Sequence, residues 1–234
     1  MIKRKNISLI AVIIIILVSF NGCGKRLDGK EIVRYMEKKY DEKFTYVDVT
    51  GGQLGGKSLT LRLEPEKYPG EIILASCELK KDGDKTWKKF NDNYMGLVFE
   101  EQTQEVLEKI TKDVYGECKV FYSRDESVLL STDIGPKTKF SEYASSGASL
   151  LYAIVLDNSQ DLNKKDEKIL ELIEKLKENK VLSSFRIEYL KDDNVYDKIN
   201  VWEDVPKMGE QWFNARTAIS LDREYNYKYE WSKS

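Results

Sequence analysis

The sequence predicts an α+β fold: a mixed or antiparallel sheet with about three helices packed on it, preceded by an apolar N-terminal segment. Two observations carry this expectation. A stretch with apolar residues at helical spacing is followed by a stretch of strand character three times along the chain, and extra antiparallel strands lie between these pairs. With 41% hydrophobic residues and 33% charged residues of both signs, the 234 residues can bury a core and still present a solvated surface.

Taken in order, Asp28 is placed to cap a helix, with Glu31 three residues on in a capping-box arrangement. Ile32, Val33, Met36 and Tyr40 then recur at helical spacing. Residues 44 to 50 (FTYVDVT) alternate as a strand, and Leu59, Leu61 and Leu63 alternate with polar residues in a second. Residues 71 to 79 hold a nearly continuous apolar run that suits a central strand, and 80 to 93 read as an exposed hairpin or loop. A second helix spans about 100 to 115, with Thr103, Val106, Leu107, Ile110 and Val114 on one face and Gly116 as its stop. A strand over 119 to 122 comes next, and 123 to 147 carry Ser, Asp, Gly and Pro without a period. That irregular stretch is where a division into two subdomains would fall. Residues 149 to 157 form the most apolar strand of the exported part. A third helix over about 164 to 179, capped by Asn163, buries Ile169, Leu172, Ile173 and Leu176, and 182 to 190 form the strand after it.

One motif has to be weighed against its context. Gly51-Gly52-Gln53-Leu54-Gly55-Gly56-Lys57-Ser58 matches the phosphate-loop pattern, and residues 150 to 157 end in an Asp as a magnesium-positioning strand would. The phosphate loop needs a helix directly after Lys57-Ser58, because helix N–H groups hold the phosphates. The next seven residues are instead Leu-Thr-Leu-Arg-Leu-Glu-Pro, an alternating strand closed by Pro65. The expectation is a glycine-rich hairpin turn with Lys57 at its solvated tip, and no nucleotide.

Composition narrows the chemistry further. The chain has no histidine, which excludes Ser-His and Cys-His catalysis and most catalytic zinc sites. No carboxylate spacing singles out an acid/base pair, so no catalytic residue, metal ligand or cofactor is assigned. Cys77 and Cys118 read as two buried thiols, with a disulfide as the alternative.

At the N-terminus, Lys3, Arg4 and Lys5 precede an apolar stretch over residues 7 to 20, which is followed by Asn21-Gly22-Cys23. Fourteen residues span about 21 Å as a helix, short of a hydrocarbon layer of ~30 Å, so the segment reads as a secretory signal. Phe20-Asn21-Gly22-Cys23 resembles the lipobox of bacterial lipoproteins through Gly22 and Cys23, while Phe20 and Asn21 depart from the usual aliphatic and small residues. The resemblance implies cleavage before Cys23, a diacylglyceryl thioether on Cys23, and anchoring at the outer face of the cell membrane. The organisation expected is a signal peptide over 1–22, a lipidated tether over 23–27 and an exported domain over 28–234. In its lysine- and tyrosine-rich style the exported part resembles the small uncharacterised lipoproteins of Gram-positive bacteria, a likeness that names no function. Removal of Lys3, Arg4 and Lys5 takes the formal charge from -2 to about -5. An acidic domain is repelled by phosphate backbones, so nucleic acid is not an expected partner, and membrane contact falls to the anchor.

The remaining candidates for contact are aromatic. Tyr225, Tyr227, Tyr229 and Trp231 occupy every second position of the tail and would share one strand face, able to stack on sugar rings or to dock a peptide, or else to pack under the helices. The expected function is a non-enzymatic, lipid-anchored surface domain that binds a protein or an envelope component. The alternatives are a wall-polymer hydrolase using two carboxylates, marked by a cleft holding them ~5–10 Å apart, and a small solute-binding lipoprotein, marked by a closed pocket between subdomains.

Overall fold

Helix α1 (Gly29–Tyr40) begins at Asp28, whose side chain accepts a hydrogen bond from the Lys30 backbone N–H at 3.1 Å. Asp41 ends it in the left-handed conformation (φ 51°), returning its N–H to the Glu37 carbonyl. The expected capping box does not form, because Asp28 caps through the Lys30 N–H and the Glu31 carboxylate turns away to pair with Lys88. The computed structural model containing this helix describes residues 27–232 apart from 55, 149 and 206–208. The apolar segment and Cys23 therefore lie outside the described residues.

The fold is α+β, but the single sheet expected from sequence is two sheets. In the first, β1 (Phe44–Gly52), β2 (Ser58–Pro65), β3 (Ile73–Asp82) and β4 (Lys85–Asp92) run as an antiparallel meander in that order. Residues 80 to 93 are mostly the β3–β4 hairpin, one of the two readings the sequence left open. Leu59, Leu61, Leu63 and Ile73 face Ile32 and Met36 of α1, and all six are essentially inaccessible to water. Burial of such side chains stabilises the fold by about 1.5–3 kcal/mol each. After Lys57 comes β2, a strand and not a helix, as the alternation predicts.

The chain changes sheet through α2 (Tyr94–Val98) and α3 (Glu100–Tyr115), before the stretch 123 to 147. That stretch lies between two neighbouring strands of the second sheet, β5 (Lys119–Arg124) and β6 (Leu150–Leu156). It is not wholly irregular: Leu130 bridges back to Asp92 of the first sheet, and α4 (Phe140–Ser145) buries Tyr143 and Ala144. The core runs continuously across both sheets.

In the second sheet the order is β5-β6-β7-β8-β9, with β7 (Ser183–Leu190), β8 (Phe213–Leu221) and β9 (Tyr227–Ser232). Among the described residues only β6 and β7 are parallel, joined by the crossover helix α5 (Lys165–Glu178). The cap of α5 differs from expectation. A 3-10 turn (Leu162–Lys164) precedes it, and Asp161, not Asn163, accepts the capping bond. Tyr152, Ile154 and Leu156 pack under α3 and α5, while Ala153 and Val155 pack beneath Val195, Ile199 and Val205 on the other face. Burial on both faces is why β6 reads as an unbroken apolar run. The cover on that second face includes α6 (Asp193–Tyr196), whose last carbonyls, at Tyr196 and beyond at Ile199, accept from Lys119 Nζ. No helix among the described residues is long and apolar enough to cross a membrane.

Candidate binding site: an open trough between α1 and β1

A second stripe on α1 determines where an opening forms. Glu31, Tyr35 and Lys39, at i, i+4 and i+8, meet Lys88, Phe90 and Asp92 of β4. Glu31 pairs with Lys88, Tyr35 stacks on Phe90 with ring centroids 4.2 Å apart, and Lys39 Nζ lies 2.9 Å from Asp92. Three side chains of the helix thus reach β4, at one edge of the sheet. Over β1, at the opposite edge, the helix leaves a gap.

That gap is a trough of about 670 Å³. Gly29, Lys30, Val33 and Arg34 form the α1 wall, and Phe44, Tyr46, Val49 and Leu61 form the floor, with Leu54 of the β1–β2 hairpin at one end. Phe44 and Leu61 are buried at the bottom, whereas Tyr46 is 52%, Val49 36% and Leu54 70% exposed.

Two bulges in β1 shape this floor. The register places Tyr46 opposite Leu63 and Val49 opposite Leu61, so all four share the face beneath α1. Strict alternation from Tyr46 would have put Asp48 on that face. The irregularity between Tyr46 and Asp48 instead turns Asp48 outward to Arg62, 3.3 Å away, and brings Val49 inward.

The rim is polar on one side. Lys30 and Arg34 line it without an ion pair among the described residues; Arg34 Nε donates to the Lys30 carbonyl at 3.2 Å. Asp28 is the one carboxylate on the described lining, and its side chain is engaged as the α1 cap. The arrangement offers apolar contact area and two cations, not an acid/base pair.

The other ionisable groups of note are locked into the scaffold. Asp92 accepts from Lys39, from Tyr40 Oη at 2.7 Å and from the Tyr94 backbone N–H at 3.1 Å. Glu42 accepts from Tyr94 Oη and from the Lys67 backbone N–H. Desolvation pushes the Glu42 carboxyl up, but hydrogen bonds from Tyr94 and Lys67 outweigh it and hold the group below its ordinary range. On the second sheet, fully buried Glu188 lies 3.2 Å from Arg216 and 3.6 Å from Arg186. Arg186 stacks on Trp202 of the covering segment. Here desolvation prevails over the two arginines and raises the Glu188 carboxyl.

The tail aromatics do not form one exposed face. Tyr225 sits in the turn before β9 with φ 62°, not in the strand. Trp231 Nε1 donates to Asp166 in the first turn of α5 at 2.6 Å, Tyr229 Oη reaches the same carboxylate at 3.3 Å, and Trp231 packs on Tyr189. Tyr229 and Trp231 are thus tied to α5; Tyr227, stacked on Tyr229, is 42% exposed. Cys77 and Cys118 are free and buried, and desolvation pushes both thiols up to about 11, out of the reactive range. Sequence reasoning passed over Lys30, Arg34 and Val49. The only local signal for the two cations was their i, i+4 repetition beside Val33.

No family model matches the chain, and no curated protein does. Among solved structures, that of a DUF5037 family protein from Ruminococcus gnavus is similar over 72% of this chain and 77% of its own, at 12% identity and a TM-score of 0.34.

Proposed function

We propose that this chain is a lipid-anchored lipoprotein of the bacterial cell surface whose exported domain, residues 28–234, binds a protein or envelope component and is not an enzyme. The trough carries this reading. It is a concave apolar surface with a small number of polar groups at its rim, the composition usual for a binding site. Its position favours a surface role, since Asp28 and Gly29 on its wall come within six residues of the expected anchor at Cys23. A two-carboxylate hydrolase is less well supported, because Asp28 alone represents the carboxylates on the described lining. A solute-binding reading calls for a closed pocket between subdomains; the trough is open and belongs to the first sheet and its helix.

Two acyl chains hold a protein stably at a bilayer where one does not, so a diacylglyceryl group on Cys23 would suffice without any membrane-binding helix. Metabolic labelling with an alkyne fatty acid, and then fractionation, tests the anchor. The wild type should take up label and fractionate with membranes, and Cys23→Ser should take up none. Absence of label on the wild type, or equal label on Cys23→Ser, makes residues 7 to 20 a signal anchor instead.

A further inference from the structure

We infer that the envelope component taken by the trough is a single-chain anionic amphiphile, its alkyl chain along the floor and its anionic head between Lys30 and Arg34. The inference rests on the trough being the binding site, as proposed above, but not on Cys23 carrying lipid.

The apolar part is dictated by the lining. Val33, Tyr46, Val49 and Leu54 present hydrocarbon and one ring to an open volume of about 670 Å³, within the range of small-molecule sites, with Phe44 and Leu61 buried beneath them. Tyr46, Val49 and Leu54 leave large apolar area in water with no described part of the chain laid over them. An alkyl chain would remove that area from solvent, and the gain is proportional to the area covered.

The anionic part is dictated by Lys30 and Arg34. Lys30 lies in the first turn of α1, where the helix dipole favours anions, and Arg34 follows one turn later. They stand four residues apart, so on one helix face their like charges repel. Neither is relieved by an ion pair among the described residues, although acidic residues outnumber basic ones in the chain. Elsewhere on the same helix, Lys39 is paired with Asp92 and Glu31 with Lys88. The two unmatched cations of α1's first half are the two on the trough, beside its apolar floor.

Competing occupants fit less well. The expected diacylglyceryl group carries no charge at its thioether end and leaves both cations unmatched. A flat bilayer would touch only the rim, since Phe44 and Leu61 at the floor are 5% and 0% exposed. A peptide added as a further strand meets an edge interrupted by two bulges, a device that blocks strand addition.

The test uses the full chain in phosphatidylcholine nanodiscs with two photoactivatable probes. Both carry a dodecyl chain ending in a diazirine; one has a carboxylate head and the other a trimethylammonium head. After irradiation, labelled peptides are identified by mass spectrometry. The carboxylate probe should label peptides holding Val33, Tyr46, Val49 and Leu54, roughly fivefold more than the cationic probe, as the stronger exposed ion pairs would give. Lys30→Glu combined with Arg34→Glu, a surface change that leaves the core intact, should invert the preference. Tyr46→Asp with Val49→Asp should remove the label of both probes from these peptides. Equal labelling by the two heads, no response to the charge reversal, or label confined to other peptides would overturn the inference. Each of those outcomes leaves the Cys23 anchor to be decided by its own labelling experiment.

Discussion

The two sheets are covered to different extents, and the difference locates the site. On the second sheet α3 and α5 cover one face and residues 193–205 the other, so that β6 and β7 bury apolar side chains in both directions. On the first sheet a helix of 12 residues serves four strands, and Tyr46 and Val49 on β1 are left in water. The first condition gives a rigid scaffold and the second a surface with unsatisfied apolar area.

The doubly covered sheet should be the more sensitive to truncation. Ile154 on β6 is wholly buried, so Ile154→Ala should cost about 2–5 kcal/mol through lost transfer energy and the cavity left behind. Val49→Ala, a truncation in the trough, should stay within about 0.5 kcal/mol. Denaturant midpoints of the two variants check this. A cost at Val49 that approaches the one at Ile154 would mean that the trough is closed in solution.

A smaller contrast appears with pH. Glu42 anchors the first sheet with its carboxyl held below the ordinary range. Its contribution is present above the unfolded value near 4.5 and is lost as pH falls through the folded value. Glu188 on the second sheet is raised by burial, so its contribution is present below 4.5 and is lost as pH rises through its folded value. Glu42→Gln should therefore flatten the acid-side fall in stability, and Glu188→Gln should steepen it. Stability measured from pH 7 downward through the acid range distinguishes the two; slopes of the same sign would contradict the assignment.

Much of the scaffold was legible because it depends on local period. The stripes Ile32-Met36-Tyr40 and Leu59-Leu61-Leu63, and the run from Leu150 to Leu156, each mark a buried face within a few residues. The site was not legible, for two physical reasons. Its α1 wall is tied to the sheet by the stripe Glu31-Tyr35-Lys39 meeting Lys88, Phe90 and Asp92 more than fifty residues away, a pairing that no local pattern encodes. Its floor depends on a bulge that exchanges Asp48 for Val49, and a bulge breaks the strict alternation from which faces are read. The short helices α2 and α4 escaped for a different reason, having too few turns to establish a period. β8 was passed over although Phe213, Ala215, Thr217 and Ile219 are its buried residues, with the irregularity beside Leu190 interrupting its register near the start.

On this account the uncovered edge of the first sheet binds and the doubly covered second sheet supports it. Hydrogen–deuterium exchange on the full chain in phosphatidylcholine nanodiscs, with and without dodecanoate, tests this most directly. Dodecanoate should slow exchange in peptides covering residues 28–34 and 44–54 and leave those covering 183–190 and 213–221 unchanged. Protection confined to the second sheet, or no protection anywhere, would contradict it.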